Sequence, residues 1–294
     1  MDSSSGVASG LLHWIASPPR AILRRRLWRS SNKELFASRF ASTNRLTENW
    51  PIRVTVEDGE FVVHDGQQSL CIAPQERVQL YKKGLAHRFN RLALEYVLND
   101  VPVRSGDLVV DIGANIGEVG LMLAQRYGCR VIAIEPEVEE FRCLTRNLSS
   151  IKAHCINLPL WSSVTELQFY SKNDTGDSSL FEIENPTGVR VVRASTLKDV
   201  LDQSGAQRVR LVKLEAEGAE PEILDGADDW LERIDYLTAD VGPERGMSQQ
   251  STAVPVIARM QAAGFELLQV SSPRLVCLFR NLRLSMAERS SGSG

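Results

Sequence analysis

The sequence predicts an α/β fold built on a mainly parallel sheet with helices on both faces, and three observations carry that expectation. The first is Leu108 to Pro136, LVVDIGANIGEVGLMLAQRYGCRVIAIEP. It reads as strand, small-residue turn, helix and strand, which is one βαβ unit. The second is the recurrence of short apolar runs downstream, Val209–Leu214 and Ile234–Asp240, separated by segments of helical spacing. The third is a closing pair of runs, Phe265–Val270 and Leu275–Arg280, flanking the turn Ser271-Ser272-Pro273-Arg274.

The turn after the first run decides between ligands. A dinucleotide fingerprint is Gly-x-Gly-x-x-Gly, with its glycines against a pyrophosphate. Here the order is Asp111-x-Gly113-Ala114-Asn115-x-Gly117, so a carboxylate comes first and the close glycine pair is missing. A carboxylate repels a pyrophosphate and suits a cationic or hydroxyl-rich ligand. Gly113 allows positive φ and close backbone approach. Glu135, followed by Pro136, ends the second run and offers two acceptor oxygens to a ribose diol. S-adenosylmethionine has both a ribose diol and a sulfonium cation. Two alternatives are an ordinary βαβ unit with solvated acids and an NAD-type site. In open α/β sheets ligands sit outside the carboxyl ends of the strands. His154–Leu158 reads as the third strand, which places Leu158 at that edge to line an adenine.

DIGANIG with the following IEPEVEEF resembles class I methyltransferases, specifically the FkbM-type family. Leu211–Ala227, LVKLEAEGAEPEILDGA, resembles that family's second signature, usually Lys-Ile-Asp-x-Glu-Gly-Ala-Glu. Glu215 stands where the aspartate is usual. Tyr81, Gly84 and Arg88 resemble a Tyr-x-x-Gly stretch ahead of the first motif, and Asp177-Ser178-Ser179 a short Asp-Ser-Ser stretch. The resemblance covers roughly residues 76–280. It implies a seven-stranded class I methyltransferase (Rossmann-like) sheet, S-adenosylmethionine as cofactor, and O-methylation of a sugar, glycan or other hydroxylated natural product. The cofactor residues it implies are Asp111, Gly113, Ala114, Asn115, Gly117, Glu135, Pro136 and Leu158.

Composition narrows the class. The 294 residues are 43% hydrophobic with a formal net charge of −3. Such a chain can bury a core and is not a polyanion binder by composition. Five scattered cysteines without a Cys-x-x-Cys pair argue against a disulfide framework or zinc site and for a reducing compartment. The expected location is the cytoplasm. No metal is expected.

Four domains are expected: a basic, unordered extension over 1–50, a β-meander and helix cap over 51–104, the methyltransferase domain over 105–282 and a tail over 283–294. In the extension, Arg20, Arg24, Arg25, Arg26 and Arg29 alternate with Ile22, Leu23, Leu27 and Trp28. This run reads as a solvated extension, a membrane-surface contact or an organelle transit peptide. Asp58-Gly59 and Asp65-Gly66 between apolar runs are hairpin signals. Glu76–Asn99 has helical spacing, interrupted by Gly84.

Lys213, Glu215 and Glu217 alternate, so an extended backbone would put all three on one face. A lysine inside an apolar strand needs a carboxylate partner. The cluster is therefore either the active-site rim or a structural Lys–Glu network. As catalytic groups, Glu215 and Glu217 are the base candidates, with Asp240 behind them, and Lys213 would orient a carboxylate or stabilise an alkoxide. Two other functions remain open at this stage. One is a nucleic-acid methyltransferase, against which stand a core that is not basic and the absence of an Asn-Pro-Pro-Tyr-type motif. The other is a non-catalytic protein that keeps the fold.

Overall fold

The computed structural model describes residues 27–28, 32–172, 176–272 and 274–284. The Arg20–Arg29 run, apart from Leu27 and Trp28, and the tail from 285 onward lie outside the described residues. The chain divides into two units, residues 1–85 and 86–294.

The first unit is a three-stranded antiparallel meander with a helix on it. Strands β1 (Arg53–Glu57), β2 (Glu60–Asp65) and β3 (Gln68–Ile72) pair in that order. Asp58 and Gly59 both take positive φ between the paired Glu57 and Glu60, the turn that matches strand twist. Helix α1 (Lys33–Thr43) starts at Asn32, whose side chain accepts from the Leu35 amide at 2.8 Å. Its Phe36 meets Phe61 of β2 edge to face, and its Phe40 packs against Trp50. Residues 32–50, expected within an unordered extension, therefore carry an ordered helix. The Ser, Gly and Arg content of the extension hides the helix, whose apolar stripe is as short as the four-residue Phe36–Phe40 step. Gly84, at φ +92, separates a 3₁₀ helix (Gln75–Tyr81) from helix α2 (Leu85–Glu95), the break its position in the helical pattern suggests.

The second unit holds the central sheet. Its strands are β4 (Leu108–Ile112), β5 (Arg130–Ile134), β6 (Ala153–Ile156), β9 (Val209–Leu214), β10 (Ile234–Asp240), β13 (Phe265–Ser271) and β14 (Val276–Asn281). They lie in the order β6-β5-β4-β9-β10-β14-β13. The first five are parallel, and β14 runs antiparallel to both neighbours. This is the seven-stranded class I order, with the closing hairpin at one edge. All five residues of β4 are buried, as expected of a strand covered on both faces. Helices α3 (Glu118–Tyr127), α4 (Val138–Asn147), α5 (Leu197–Gln203), α6 (Glu220–Asp225) and α7 (Ala253–Ala262) alternate with the strands. Two ribbons stand outside the sheet, β7 (Thr165–Ser171) with β8 (Gly188–Ala194), and β11 (Pro243–Arg245) with β12 (Gln250–Ser251).

Strand order reverses at β4, between β5 on one side and β9 on the other. That switch point places the ends of β4, β5, β9 and β10 around one edge. Among the described residues, no helix is long and apolar enough to cross a membrane.

Candidate functional site

Asp111 and Lys213 are register partners on β4 and β9. Both side chains are buried, and Lys213 Nζ lies 3.4 Å from Asp111 Oδ1 and 3.0 Å from a Glu215 oxygen. The same ammonium donates to the carbonyls of Gly113 at 2.6 Å and Ile112 at 3.2 Å. An ammonium has three protons, and these partners occupy them. Burial favours the neutral amine, but Glu215 and Asp111 outweigh it and hold the lysine pKa above its usual value. Burial raises the Asp111 pKa, with Lys213 opposing it. The paired-network reading of Lys213 is thus the one the geometry favours, because no donor is left for an alkoxide. Asp111 is 0% exposed. Its Oδ2 accepts from the Gly120 amide at 3.2 Å. It braces the first turn of α3 through Gly120 and pairs with Lys213 across the strands.

The turn itself is held from two sides. Gly113 has φ +67, and a Cβ there would lie 1.7 Å from the Glu215 carbonyl oxygen. Its glycine is required by the chain's own packing, where the sequence suggested approach to a ligand. Gly113→Ala should accordingly unseat the turn from β9 and lower the urea midpoint, whereas the same change at Gly188, with open space around it and no positive φ, should not. Ala114 donates its amide to the Ile134 carbonyl at 3.0 Å, and Gly117 its amide to Ala114 at 2.8 Å. Asn115, at φ +50, donates its amide to Glu135 Oε2 at 2.8 Å.

Glu135 is 7% exposed, and its Oε1 accepts from the Glu137 amide at 2.8 Å. Each oxygen thus uses one acceptor position and keeps another. Burial pushes its pKa up to about 7 despite the Glu137 and Asn115 amides and Lys213. Pro136 and Leu158 are partly exposed on the same edge. Asn157 Nδ2 donates to the carbonyls of Glu135 at 2.8 Å and Pro136 at 3.1 Å.

Glu215 sits at the end of β9 between three donors: Lys213, the Tyr96 hydroxyl and Arg274. Burial would raise its pKa, but Lys213 and Arg274 hold it far below the usual carboxylate range. A carboxylate so fully ionised is a weak base. Arg274 also donates to Asp240 through Nε at 2.7 Å. Burial raises Tyr96 well above an ordinary phenol, and the neighbouring Glu215 adds to that.

The strand ends at Leu214 and Glu217 takes φ +48, so the extended backbone expected over Lys213–Glu217 does not continue to Glu217. Among the described residues its carboxyl makes no hydrogen bond. Burial first, then Glu244, Glu215, Asp177 and Glu220, raise its pKa well above the usual carboxylate value. Its backbone is fixed: Ser179 Oγ donates to the Glu217 carbonyl at 3.0 Å, and Glu220 accepts the Ala216 and Gly218 amides. The Asp177-Ser178-Ser179 turn is therefore joined to this edge. Burial and Asp240 push Glu244 up to about 8.

Tyr96 and Arg274 meet Glu215, and the Glu137 amide holds Glu135, although the sequence did not single these residues out. Arg274 and Tyr96 are 178 residues apart, so no local pattern could pair them. Among the described residues no His/Cys/Asp/Glu group could hold a metal ion.

The profile of the family described as Methyltransferase FkbM domain matches residues 111–267. Methyltransferase 1 of Beauveria bassiana is 26% identical over 172 residues, spanning 49% of this chain and 68% of that protein. Methyltransferase sdnD of Sordaria araneosa is 30% identical over 162 residues, spanning 42% of this chain and 62% of that protein. Among solved structures, magnesium protoporphyrin IX methyltransferase of Synechocystis PCC 6803, with bound SAM, is 13% identical with a TM-score of 0.39. It covers 66% of this chain and 78% of its own. A TehB-like SAM-dependent methyltransferase of Corynebacterium glutamicum is 12% identical with a TM-score of 0.38, over 67% and 95%. At these scores the chain's own strand order carries the fold assignment.

Proposed function

The chain belongs to the FkbM methyltransferase family, and from that premise we propose that it methylates a hydroxyl oxygen of a sugar, a glycan or another small natural product with S-adenosylmethionine as donor. The observation that carries this is Glu135. It is held by two backbone amides at the carboxyl end of β5, with one acceptor position left on each oxygen. That is the arrangement a ribose diol requires. The Gly113–Gly117 turn beside it is packed against Glu215 and bonded to Glu135.

S-adenosylmethionine supplies an electrophilic methyl carbon, whose bond to sulfur breaks as the acceptor oxygen bonds to it. The chain's task is mostly positioning. Glu135, Asn115 and Pro136 form the ribose shelf, and Leu158 the adenine side. Glu217 takes the proton of the acceptor hydroxyl, because it is the carboxyl of the second signature with no fixed donor. Its raised pKa makes its ionised form the stronger base. Glu215, Lys213 and Asp111 hold the strand ends in register instead of touching the reacting atoms.

Incubation with labelled S-adenosylmethionine and a panel of hydroxylated acceptors tests this reading. Label should pass to a sugar, glycan or other small hydroxylated compound. Label passing only to nucleic acid, or cofactor binding without transfer to any acceptor, would count against it.

A further inference from the structure

The β7–β8 ribbon contributes no strand to the central sheet, yet one of its side chains reaches the cofactor edge. Arg190 of β8 is the cross-strand partner of Phe169 on β7, and its guanidinium lies 4.6 Å from the centre of that ring. From there Nη1 donates to Glu137 Oε1 and to Ser171 Oγ, each at 2.9 Å, and Nη2 donates to the Pro136 carbonyl at 2.9 Å. Glu137 is 3% exposed. It also accepts from the Val138 amide at 2.9 Å, as the N-cap of α4, and from Ser178 Oγ at 3.1 Å. Its own amide is one of the two donors that hold Glu135.

We propose that Arg190 is a positioning residue for cofactor binding: its planar fork clamps Pro136 and Glu137 so that the Glu137 amide holds Glu135 in the orientation the ribose needs. This rests on the cofactor reading above. The path has three links, each a hydrogen bond: ribbon to Pro136 and Glu137, Glu137 amide to Glu135, Glu135 to ligand. Because Ser178 binds the same Glu137 carboxylate, the Asp177-Ser178-Ser179 turn and the ribose shelf share one anchor. Without Arg190 a nearly buried carboxylate loses its cation and turns toward solvent. That response loosens the start of α4 and tilts the Glu137 amide. A lysine would keep the charge but could not make the fork's separate contacts. Phe169 supports the clamp by holding the guanidinium plane.

The groups that face Glu135 are Glu137, Lys213 and the amides of Asn115 and Glu137. With Arg190 removed, the Glu137 charge is less compensated and opposes ionisation of Glu135 more strongly.

The test is titration calorimetry with S-adenosylmethionine across pH 5.5–8.5 on four proteins: wild type, Arg190→Gln, Arg190→Lys and Arg193→Gln, with urea midpoints in parallel. Arg193 is exposed on the same strand and serves as the control. Arg190→Gln should weaken binding on the order of tenfold, since it removes hydrogen bonds to a charged group. Its affinity-versus-pH curve should also shift to higher pH. Arg190→Lys should fall between the two, and Arg193→Gln should match wild type. Equal affinity in Arg190→Gln and wild type overturns the inference. So does a loss of affinity without a pH shift that tracks a fall in urea midpoint, which marks a purely structural role. No binding by the wild type would overturn the cofactor reading and this inference with it.

Discussion

Glu217→Gln is expected to lower kcat by about 100- to 10,000-fold, the range that a positioned acid–base group contributes. The affinity for S-adenosylmethionine should stay within about threefold, since Glu217 is assigned to the proton and not to the ribose. The substitution keeps size and removes the basic oxygen. A second signature of the same role is the pH profile. Burial and the surrounding Glu244, Glu215, Asp177 and Glu220 raise the Glu217 pKa, so its proton is lost only as pH rises. Turnover in the wild type should climb with pH through that elevated value and level off. The curve reflects Glu217 and Glu244 titrating together, with Glu244 pushed up to about 8. In Glu217→Gln the residual rate should lose that rise. Rapid-quench measurement of kcat on any acceptor the wild type methylates decides it; equal turnover in the two proteins removes the base assignment.

Lys213→Met should cost about 3–5 kcal/mol of folding stability, the usual penalty for breaking a buried ion pair by deleting one partner. Methionine fills most of the lysine volume, so the loss is electrostatic more than steric. Asp111 would be left 0% exposed and without its cation, and Glu215 would keep only Tyr96 and Arg274. The sign with pH follows from Asp111. Its folded pKa is already raised by burial, and removing Lys213 raises it further. A carboxyl whose folded pKa exceeds its unfolded one is most stable when protonated, so the deficit of Lys213→Met should be small in acid and grow toward neutrality. Adding Asp111→Asn should recover part of the loss, because residues in contact do not add independently. Urea unfolding of the two single variants and the double variant measures this. Additive losses would show that Asp111 and Lys213 do not depend on each other.

What the sequence made legible was whatever depends on near neighbours. The βαβ unit, its turn, the alternation of later strands and the closing hairpin all follow from spacing within about thirty residues. Asp111 and Glu135 stand at the predicted strand ends. What one-dimensional spacing could not convey was which of those carboxyls faces outward. Asp111 and Glu135 look alike in sequence, yet the first is neutralised by Lys213 from the neighbouring strand and the second is braced by backbone amides and keeps acceptor capacity. Lys213, Glu215 and Glu217 look like one alternating face, but the strand stops at Leu214 and Glu217 takes a positive φ. The carboxylates that Arg190 and Arg274 bind, those of Glu137, Asp240 and Glu215, sit 34 to 59 residues away in sequence. In the first unit, α1 carries a weak periodic signal because its large buried side chains are only Phe36 and Phe40.

The account rests on Glu135 as the ribose acceptor at the end of β5, and calorimetric titration of wild type and Glu135→Ala with S-adenosylmethionine tests it most directly. Wild type should bind, more tightly above pH 7 than below as Glu135 loses its proton. Glu135→Ala should bind at least about tenfold more weakly, the scale of losing hydrogen bonds to a charged acceptor, with its urea midpoint little changed. Equal affinity in the two proteins, or wild-type binding of a nicotinamide dinucleotide in preference to S-adenosylmethionine, would contradict it.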